Sequence, residues 1–285
     1  MTPSSLLVVH WNQPDACAAT VAALLAQNVP LRVTVIDNNS EPAAFEKLRT
    51  RIPASVEIVR LNENKGWGPA LNEPLRRWLD AETTPYCFIS AHDAEPGADC
   101  LRMLVAAADA DARIGIACPQ YPEPFVARLS RRRGIFPETV EPRAASTAQQ
   151  VDAPHGTLML VRRECLREIG LFDERYFAYG DEHELGARAV RRGWNVAMVW
   201  GALVTNPGTR TGSALRSYLF ARNSLLLVHD YFGRRAAWTR ALLLLGNTAR
   251  LRFFSRENES AVSVRARWQA VRDFFSSRFG RPILR

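Results

Sequence analysis

The sequence has few cysteines and no long hydrophobic run, and each scarcity limits what the protein can be. Its five cysteines are scattered, odd in number and mostly set in apolar runs, which argues against a disulfide framework and against a cysteine-based metal site. No apolar run approaches the length of a membrane span, and no secretory signal pattern opens the chain. We therefore expect reduced thiols and a cytoplasmic protein that is neither secreted nor membrane-spanning.

What is present is enough apolar sequence for a large core, together with an excess of positive charge. With 285 residues, 47% of them hydrophobic, the chain can form one large domain with an appendage or two modest domains. The formal net charge of +8 predicts a surface that attracts anions. Nucleotide phosphates, anionic lipid head groups and nucleic acid all fit that charge, and composition does not choose among them.

Short apolar segments of strand length alternate with helical patterns along most of the chain. Strand patterns at 6–10, 31–36, 56–60, 86–90 and 114–118 are separated by helical patterns at 16–25, 45–49, 70–79 and 101–108. Further strand patterns follow at 157–161 and 196–200. This alternation predicts an α/β fold with a mixed, mainly parallel sheet and helices on both faces, whose ligands bind at the carboxyl ends of the strands.

Two stretches depart from the alternation. Residues 121–150 are rich in proline, arginine and alanine without a clear period, which predicts a long loop acting as a lid over the active face. After residue 212, helical patterns interleave apolar and arginine positions. We expect an α/β domain at 1–212 and a basic helical extension at 213–285, which either packs as a partner surface or lies on an anionic membrane face.

Polar, turn-forming clusters follow the first three predicted strands and together outline a nucleotide pocket. Asp37 can accept from a pyrimidine ring NH, Trp11 can line the base, and Gly66 and Gly68 let the backbone approach a ribose or phosphate. An Asx turn that caps a helix stays an open alternative for residues 37–40. The candidate donor-side residues in these clusters are His10, Trp11, Asn12, Asp37, Asn39, Lys65, Gly66 and Trp67.

Acidic residues mark two further places where chemistry is expected. Asp93 follows the fourth strand, where a carboxylate can hold a divalent cation that bridges two phosphates, although a solvated turn acid is the plain alternative; His92 flanks it. Asp181, Glu182 and Glu184 lie where a loop ending at Gly180 opens a helix, so that a general base can stand there. The alternative is purely structural, because negative side chains in the first turn of a helix are stabilised by the helix dipole.

The order of these clusters resembles the inverting family 2 glycosyltransferases of the GT-A fold, especially bacterial rhamnosyltransferase-like members, over about residues 6–223. The matching motifs are His10-Trp-Asn, Val35-Ile-Asp-Asn-Asn-Ser, Asn64-Lys-Gly-Trp-Gly-Pro-Ala-Leu-Asn72, Asp93 as the last acid of Asp-x-Asp, His155-Gly156-Thr157, Phe172-Asp-Glu-Arg with Asp181-Glu182-x-Glu184-Leu185, and Tyr218-Leu-Phe-Ala-Arg222-Asn223.

The resemblance implies roles for these residues. Glu182, or Asp181 beside it, would be the general base, and Asp93 would hold Mg²⁺ or Mn²⁺ at the leaving diphosphate. Asn72, His92 and Asp93 join the donor side, while His155, Gly156, Glu184 and Arg222 join the acceptor side. The implied donor is dTDP-rhamnose or a UDP-sugar, and the acceptor is a cell-envelope glycan or a lipid-linked sugar. No nucleic-acid partner is expected.

Two departures from the family pattern keep alternatives open. The first acid of Asp-x-Asp is Ala91, and the downstream metal-binding histidine would fall at Thr205 or Asn206. Lys65 or Arg222 could therefore offset the diphosphate charge instead of a metal. A catalytically degenerate nucleotide-binding module is the non-enzymatic alternative. A nucleotidyltransferase is disfavoured, because the first strand is not followed by a glycine-rich run with basic residues.

Overall fold

The centre of the molecule is a nine-stranded, mostly parallel sheet. The structure, a computed structural model, describes residues 3–81, 84–207, 211–254 and 263–283. The strand order is β3-β2-β1-β4-β10-β6-β11-β5, with β9 also paired to β11. The strands are β1 (Ser4–His10), β2 (Leu31–Asp37), β3 (Glu57–Arg60), β4 (Tyr86–Ala91), β5 (Glu95–Pro96), β6 (Ile114–Gln120), β9 (Ala148–Gln150), β10 (Leu158–Arg162) and β11 (Asn195–Thr205).

Helices cover both faces of this sheet, as the alternating sequence pattern predicts. Strand β1 shows why: Leu6 and Val8 point into one buried cluster, and Leu7 and Val9 point into a second one on the opposite face. The helices are α1 (Pro14–Leu25), α2 (Pro42–Arg51), α3 (Gly68–Ala81), α4 (Cys100–Ala110), α5 (Arg163–Ile169), α6 (Asp181–Arg191), α7 (Ser213–Phe232), α8 (Arg234–Phe254) and α9 (Val264–Phe275).

The parallel pairing brings the ends of the first strands to one edge. Strand β1 pairs in parallel with β2 and β4, so His10 lies beside Asp37 and Val9 beside Ala91. Strand β10 runs antiparallel to β4, which places the turn before β10 next to the end of β4. The candidate residues after these strands and before β10 therefore face one region of the surface.

The prediction of a long loop at residues 121–150 is wrong. Strands β7 (Phe125–Ser130) and β8 (Gly134–Thr139) form an antiparallel hairpin, and β9 joins the main sheet. The sequence hides the hairpin because the turn between its strands carries Arg131, Arg132 and Arg133, because β8 contains Pro137, and because both strands are only partly buried. The hairpin turn packs on α7, where a Cβ added to Gly134 would lie 3.5 Å from Ser224 Cβ. This segment is folded structure rather than a free lid.

Helices α7, α8 and α9 form a buried cluster of their own. Tyr218, Leu225 and Ala237 are among its members, and Tyr176 from the loop before α6 packs into it. Within the part of the chain that the structure describes, no helix is long and apolar enough to cross a membrane. The domain division at residue 212 stays a prediction, although the loop before α6 ties the two parts together.

Helix α6 is held against residues 153–154 by Gly186, so the substitution Gly186→Ala should be unusually costly. The added Cβ would lie 2.5 Å from Pro154 Cδ and 2.9 Å from Ala153 Cα. We expect overpacking to lower the free energy of unfolding by about 1–3 kcal/mol, despite the higher helix propensity of alanine.

The matched control is Gly246→Ala on α8, where a Cβ would have no neighbour within 4 Å among the described residues. That variant should gain up to about 1 kcal/mol from helix propensity. Urea unfolding of both variants measures the difference, and equal stability changes would contradict the close approach at Gly186.

Candidate active site

The turns after β1, β2 and β3 are joined by asparagine side chains into one rim. The Asn12 N–H donates to Ser40 Oγ (2.9 Å), and the Glu41 N–H donates to Asn12 Oδ1 (2.8 Å). Asn38 is buried and donates to Gly66 O (2.6 Å) while accepting from Lys65 N (2.9 Å). The predicted assembly of the three clusters is thus present, and Asn38 holds the second turn to the third.

His10 and Asp37 form a fully buried pair beneath this rim. Because the Gln13 N–H donates to His10 Nε2, the proton on the ring lies on Nδ1 and is donated to Asp37 Oδ1 (2.9 Å). Burial alone would raise the pKa of Asp37, but the hydrogen bonds from His10 and Ser40 outweigh it and lower the pKa. Asp37 is therefore an anion that organises the turn; its contact with a pyrimidine stays a prediction.

The outer part of the rim is open to a ligand. Trp11 is 43% exposed, and Asn39 and Lys65 are also exposed. Gly66 and Gly68 do not face a ligand, contrary to the interpretation that they admit a ribose or phosphate. A Cβ on Gly66 would lie 1.9 Å from Phe177 O, and one on Gly68 would lie 2.6 Å from Asp181 Oδ2. Both glycines admit the loop before α6 instead.

Asp93 lies half-buried just after β4 and meets the end of β11. Asn206 Nδ2 donates to Asp93 Oδ1 (3.0 Å), so the position where the resemblance places a metal-binding histidine does lie beside this carboxylate. His92 Nδ1 donates to Val9 O (3.1 Å), and its ring meets that of His10 edge-on at 5.8 Å between centroids. His92 thus fixes the turn that carries Asp93.

The acid pair at the start of α6 divides into a buried and a reachable carboxylate. Asp181 is fully buried, and its Oδ2 accepts from Gly68 N (2.6 Å) at the start of α3. The side chain of Glu182 keeps 14% exposure, and its Oε2 accepts from Gly180 N (3.0 Å). Glu182 also borders the turn before β10, since a Cβ on Gly156 would lie 3.7 Å from Glu182 Cδ and 3.5 Å from the Trp67 ring.

Their surroundings separate the two acids electrostatically. Burial first, and then the negative charge of Glu182, raise the pKa of Asp181 well above its ordinary value. Burial also acts on Glu182, but His183, Asp181 and the Gly180 N–H together lower the pKa of Glu182. Asp181 therefore carries the proton of the pair, and Glu182 carries the negative charge.

Asp93 and Glu182 both lie near the turn before β10, because Asp93 follows the end of β4, where Ala91 N donates to Thr157 O, and Glu182 borders Gly156. Burial is the main cause that raises the pKa of Tyr121 to about 12, and the charges of Glu182 and Asp93 both add to it. The Tyr121 hydroxyl pairs with Thr157 Oγ1 (2.5 Å), whose own carbonyl accepts from Ala91 N (2.9 Å). Sequence reasoning missed Tyr121 because a lone tyrosine after a strand carries no motif.

His155 stands in the cleft at the turn before β10 as a neutral ring. It stacks on Tyr121 with 4.3 Å between centroids, and its Nε2 donates to Pro119 O (2.7 Å). Burial lowers the pKa of His155 to about 4, although the Pro119 carbonyl and Glu182 act in the opposite direction. Its Nδ1 has no hydrogen-bond partner among the described residues, so it can accept from a ligand hydroxyl.

The loop at 172–180, which leads into the acid pair, is held from two sides. On the α3 side, Asn72 Oδ1 accepts from Phe172 N and its Nδ2 donates to Phe172 O, both at 3.0 Å, while Trp67 N donates to Phe177 O (2.7 Å). On the α7 side, the carbonyls of Tyr176, Ala178 and Tyr179 accept from Asn223 Nδ2 at 2.7–2.9 Å. Phe177 and Tyr179 keep positive φ angles within this hold.

Three predicted site residues belong to this support rather than to the cleft. Asn72 is buried, and its side-chain amide is hydrogen-bonded to the backbone of Phe172, so it is not directed at a nucleotide-sugar donor. Arg222 is fully buried and donates to the carbonyls of Gly280, Arg175 and Tyr176, so neither an acceptor contact nor a diphosphate contact fits it. Glu184 is buried between Arg188 and Tyr231, which removes it from the acceptor side.

The substitution Asn223→Ala should loosen the loop at 172–180. It removes the donor that the Tyr176, Ala178 and Tyr179 carbonyls share, although Arg222 Nη2 still donates to Tyr176 O; losing buried hydrogen bonds of this kind costs about 1–3 kcal/mol of stability. We expect kcat for sugar transfer to fall about tenfold or more while KM for the donor stays near normal, because the base is displaced and the donor rim is not.

Ser224→Ala provides the control, since the Ser224 hydroxyl donates to Ala221 O within α7 and has no other recorded partner in the described part of the chain. Steady-state kinetics with donor titration measures both variants. If Asn223→Ala raised the donor KM and spared kcat, the loop would not depend on α7.

The residues around Asp93 fit a divalent cation only in part. Among the described residues, no three His, Cys, Asp or Glu side chains cluster in metal-binding fashion. Asp93 offers one carboxylate, and Asn206 offers an amide oxygen if its side chain turns over. Mg²⁺ accepts so small a protein contribution when phosphate oxygens and waters complete its shell.

Comparisons with known proteins agree with this geometry. The family model described as glycosyltransferase-like family 2 matches residues 3–269. An N-acetylglucosaminyl-diphospho-decaprenol L-rhamnosyltransferase of Mycobacterium tuberculosis is 26% identical over 258 residues, covering 77% of this chain and 80% of its own length. A low-salt glycan biosynthesis hexosyltransferase of Haloferax volcanii is 30% identical over 126 residues, covering 43% of this chain and 40% of its own.

Two solved structures share the GT-A fold. GalNAc-T7 with UDP, GalNAc and Mn²⁺ superposes with a TM-score of 0.65 at 14% identity, covering 97% of this chain and 56% of that one. A mannosyltransferase of Pyrobaculum calidifontis with GDP-Man and Mn²⁺ gives a TM-score of 0.60 at 15% identity, covering 96% and 87%. At this identity the likeness shows the fold alone.

Proposed function

This chain belongs to glycosyltransferase-like family 2 and is a glycosyltransferase, and we propose that it inverts the sugar it transfers in a single displacement. The acceptor hydroxyl oxygen attacks the anomeric carbon, its proton passes to Glu182, and the bond to the diphosphate oxygen breaks on the opposite side. The observation that carries this proposal is that Asp93 and Glu182, from different parts of the chain, both lie near the turn before β10. Ala91 N, two residues before Asp93, donates to Thr157 O (2.9 Å), and a Cβ on Gly156 would lie 3.7 Å from Glu182 Cδ.

Glu182 is the general base in this proposal, and Asp181 is its buried support. Glu182 is ionised, borders Gly156 and remains reachable from the cleft. Asp181 is turned away, accepts from Gly68 N, and holds the proton that Glu182 lacks. An ionised carboxylate within reach of a hydroxyl is what general base catalysis requires.

The donor is a nucleotide-diphosphate sugar, for which we propose dTDP-rhamnose or a UDP-sugar. The relative that acts on a diphospho-decaprenol acceptor transfers L-rhamnose, and its similarity extends over most of both chains. A lipid-linked or cell-envelope glycan is accordingly the proposed acceptor. The nucleobase of the donor would rest on Trp11, and the sugar would face the cleft, where His155 Nδ1 would accept a hydrogen bond from a sugar hydroxyl.

Asp93 with Asn206 would hold a divalent cation, Mg²⁺ or Mn²⁺, whose charge would offset that of the leaving diphosphate. The chain itself contributes the fixed position of Asp93, set by Asn206 and by the neighbouring His92. Lys65, which is exposed on the rim, can add positive charge beside the same phosphates.

The neutral replacements Glu182→Gln and Asp181→Asn should separate the two acids. Glu182→Gln removes the base, so we expect kcat to fall about 10²–10⁴-fold. Asp181→Asn imitates the protonated carboxyl and keeps an acceptor for Gly68 N, so it should retain most activity. Transfer of radiolabelled sugar measures both variants; near-normal turnover of Glu182→Gln would reject the assignment.

The same pair predicts a pH dependence of stability. Because the pKa of Asp181 is raised in the fold, this residue stabilises the folded state at low pH. That stabilisation is lost as the pH rises from the pKa of Asp181 in the unfolded chain through its pKa in the folded protein. The melting temperature of the wild type should therefore fall relative to that of Asp181→Asn as the pH rises above the ordinary pKa range of an aspartate, because the amide of the variant does not titrate. Parallel melting curves would contradict the buried protonated acid.

Asp93→Asn tests the diphosphate side. We expect chelation by EDTA to abolish sugar transfer by the wild type, and added Mn²⁺ to restore it. The variant should lose at least about a hundredfold in kcat, and Mn²⁺ should not restore its activity. Glu95→Gln, an exposed acid two residues away, is the control and should keep its activity. Full transfer in EDTA would instead assign the diphosphate charge to cationic side chains.

A further inference from the structure

Helices α7, α8 and α9 enclose a cavity of about 280 Å³ that the proposed mechanism does not use. Each helix contributes an arginine to its wall: Arg216, Arg240 and Arg267. Ser217 and Phe220 are also in the wall, and no carboxylate of the described ranges lines it. We call this cavity the arginine pocket.

The arginines of this pocket are uncompensated by acids. Within the described ranges none of the three forms an ion pair, and the recorded partner of Arg267 is the Thr248 hydroxyl at 3.4 Å. Arg240 Nε is buried without a hydrogen-bond partner in the same part of the chain. Burial, and then the charges of Arg267 and of Arg133 on the β7–β8 hairpin, lower the pKa of Arg240. Grouped, partly buried cations of this kind favour binding of an anion.

The pocket is connected to the acceptor side of the cleft through one face of α7. Arg216, Phe220 and Asn223 are spaced i, i+4 and i+7, so they lie along the same side of the helix. Phe220 lines the pocket and stacks on Tyr179 with 4.9 Å between ring centroids. Asn223, roughly 10 Å along the axis from Arg216, holds the loop that ends at the base.

Apolar side chains lie exposed beside the pocket. Phe220 is 49% exposed, and Leu243, one turn after Arg240 on α8, is also 49% exposed. A basic pocket rimmed by exposed apolar groups suits a phosphate that carries a hydrocarbon chain, since the charge and the chain are both accommodated.

We propose that the arginine pocket binds the diphosphate of a lipid-linked acceptor, and so places the acceptor sugar against the loop at 172–180, which leads into Glu182 at the start of α6. This inference rests on the proposed function but names a separate site for the acceptor. A diphosphate is preferred over a single lipid head group because three arginines from three helices surround the pocket, and because Phe220 links it directly to the base loop.

Binding of geranyl diphosphate, measured by calorimetry on the full chain, tests the site without requiring turnover. We expect Arg240→Gln to weaken binding about tenfold or more, as loss of a charge-assisted hydrogen bond does. Arg235→Gln, an exposed arginine on the same helix, removes the same charge and should bind like the wild type. Melting curves of both variants verify that they are folded.

Kinetics adds a second readout. With N-acetylglucosamine carried on a short prenyl diphosphate, Arg240→Gln should raise the acceptor KM about tenfold and leave the donor KM unchanged. With the same sugar as an uncharged alkyl glycoside, the variant and the wild type should be equal. An equal loss with both acceptors would overturn the inference.

Three other results would also overturn the inference: absent binding of geranyl diphosphate, equal binding by the two arginine variants, and binding only to phosphatidylglycerol vesicles. In each case, sugar transfer by the wild type would leave the proposed function intact. The variant Glu257→Gln/Glu259→Gln removes two acids outside the described residues. A tenfold gain in its diphosphate affinity would mean that the chain neutralises its own arginines, which would also overturn the proposal.

Discussion

The hydrogen bond from the Gly68 amide to the buried carboxylate of Asp181 is the contact on which the site depends. It joins the start of α3, which follows the turn after β3, to the start of α6, which carries the proposed base Glu182. Two helix amino termini meet at this acid, and their dipoles favour an acceptor there. The carboxyl is nevertheless desolvated and lies beside a second acid, so it keeps a proton. Its burial is what leaves Glu182 as the charged member of the pair.

Much of the fold follows from local pattern, because buried parallel strands are continuous apolar runs and their partners are amphipathic helices. Val8 and Val35 belong to such runs, and both are fully buried. The three turns were predictable as well, since parallel pairing alone brings strand ends together. The hairpin at 125–139 was not, because its short strands are only partly buried, have no distinctive period and pack on α7, which is distant along the chain.

The candidate site residues show the same division between what local sequence predicts and what depends on tertiary packing. Asp93 and Glu182 are recognisable through the motifs around them, since carboxylates at strand and helix ends also serve turns and helix dipoles. Glu184 and Arg222 belong to similar motifs, yet both are buried by the fold: Glu184 pairs with Arg188 and accepts from the Tyr231 hydroxyl, and Arg222 donates to the carbonyl of Gly280. Gly66 and Gly68 show the same difficulty: a glycine signals a close approach but not what approaches. Only the tertiary fold distinguishes a ligand from a backbone carbonyl.

Because the carbonyls of Tyr176, Ala178 and Tyr179 are all bound by one side chain of α7, the loop at 172–180 depends on that helix for its conformation. A chimera that imported only the loop from a relative would bring carbonyls spaced for a foreign helix. Transplanting this loop therefore requires α7 to be transplanted with it.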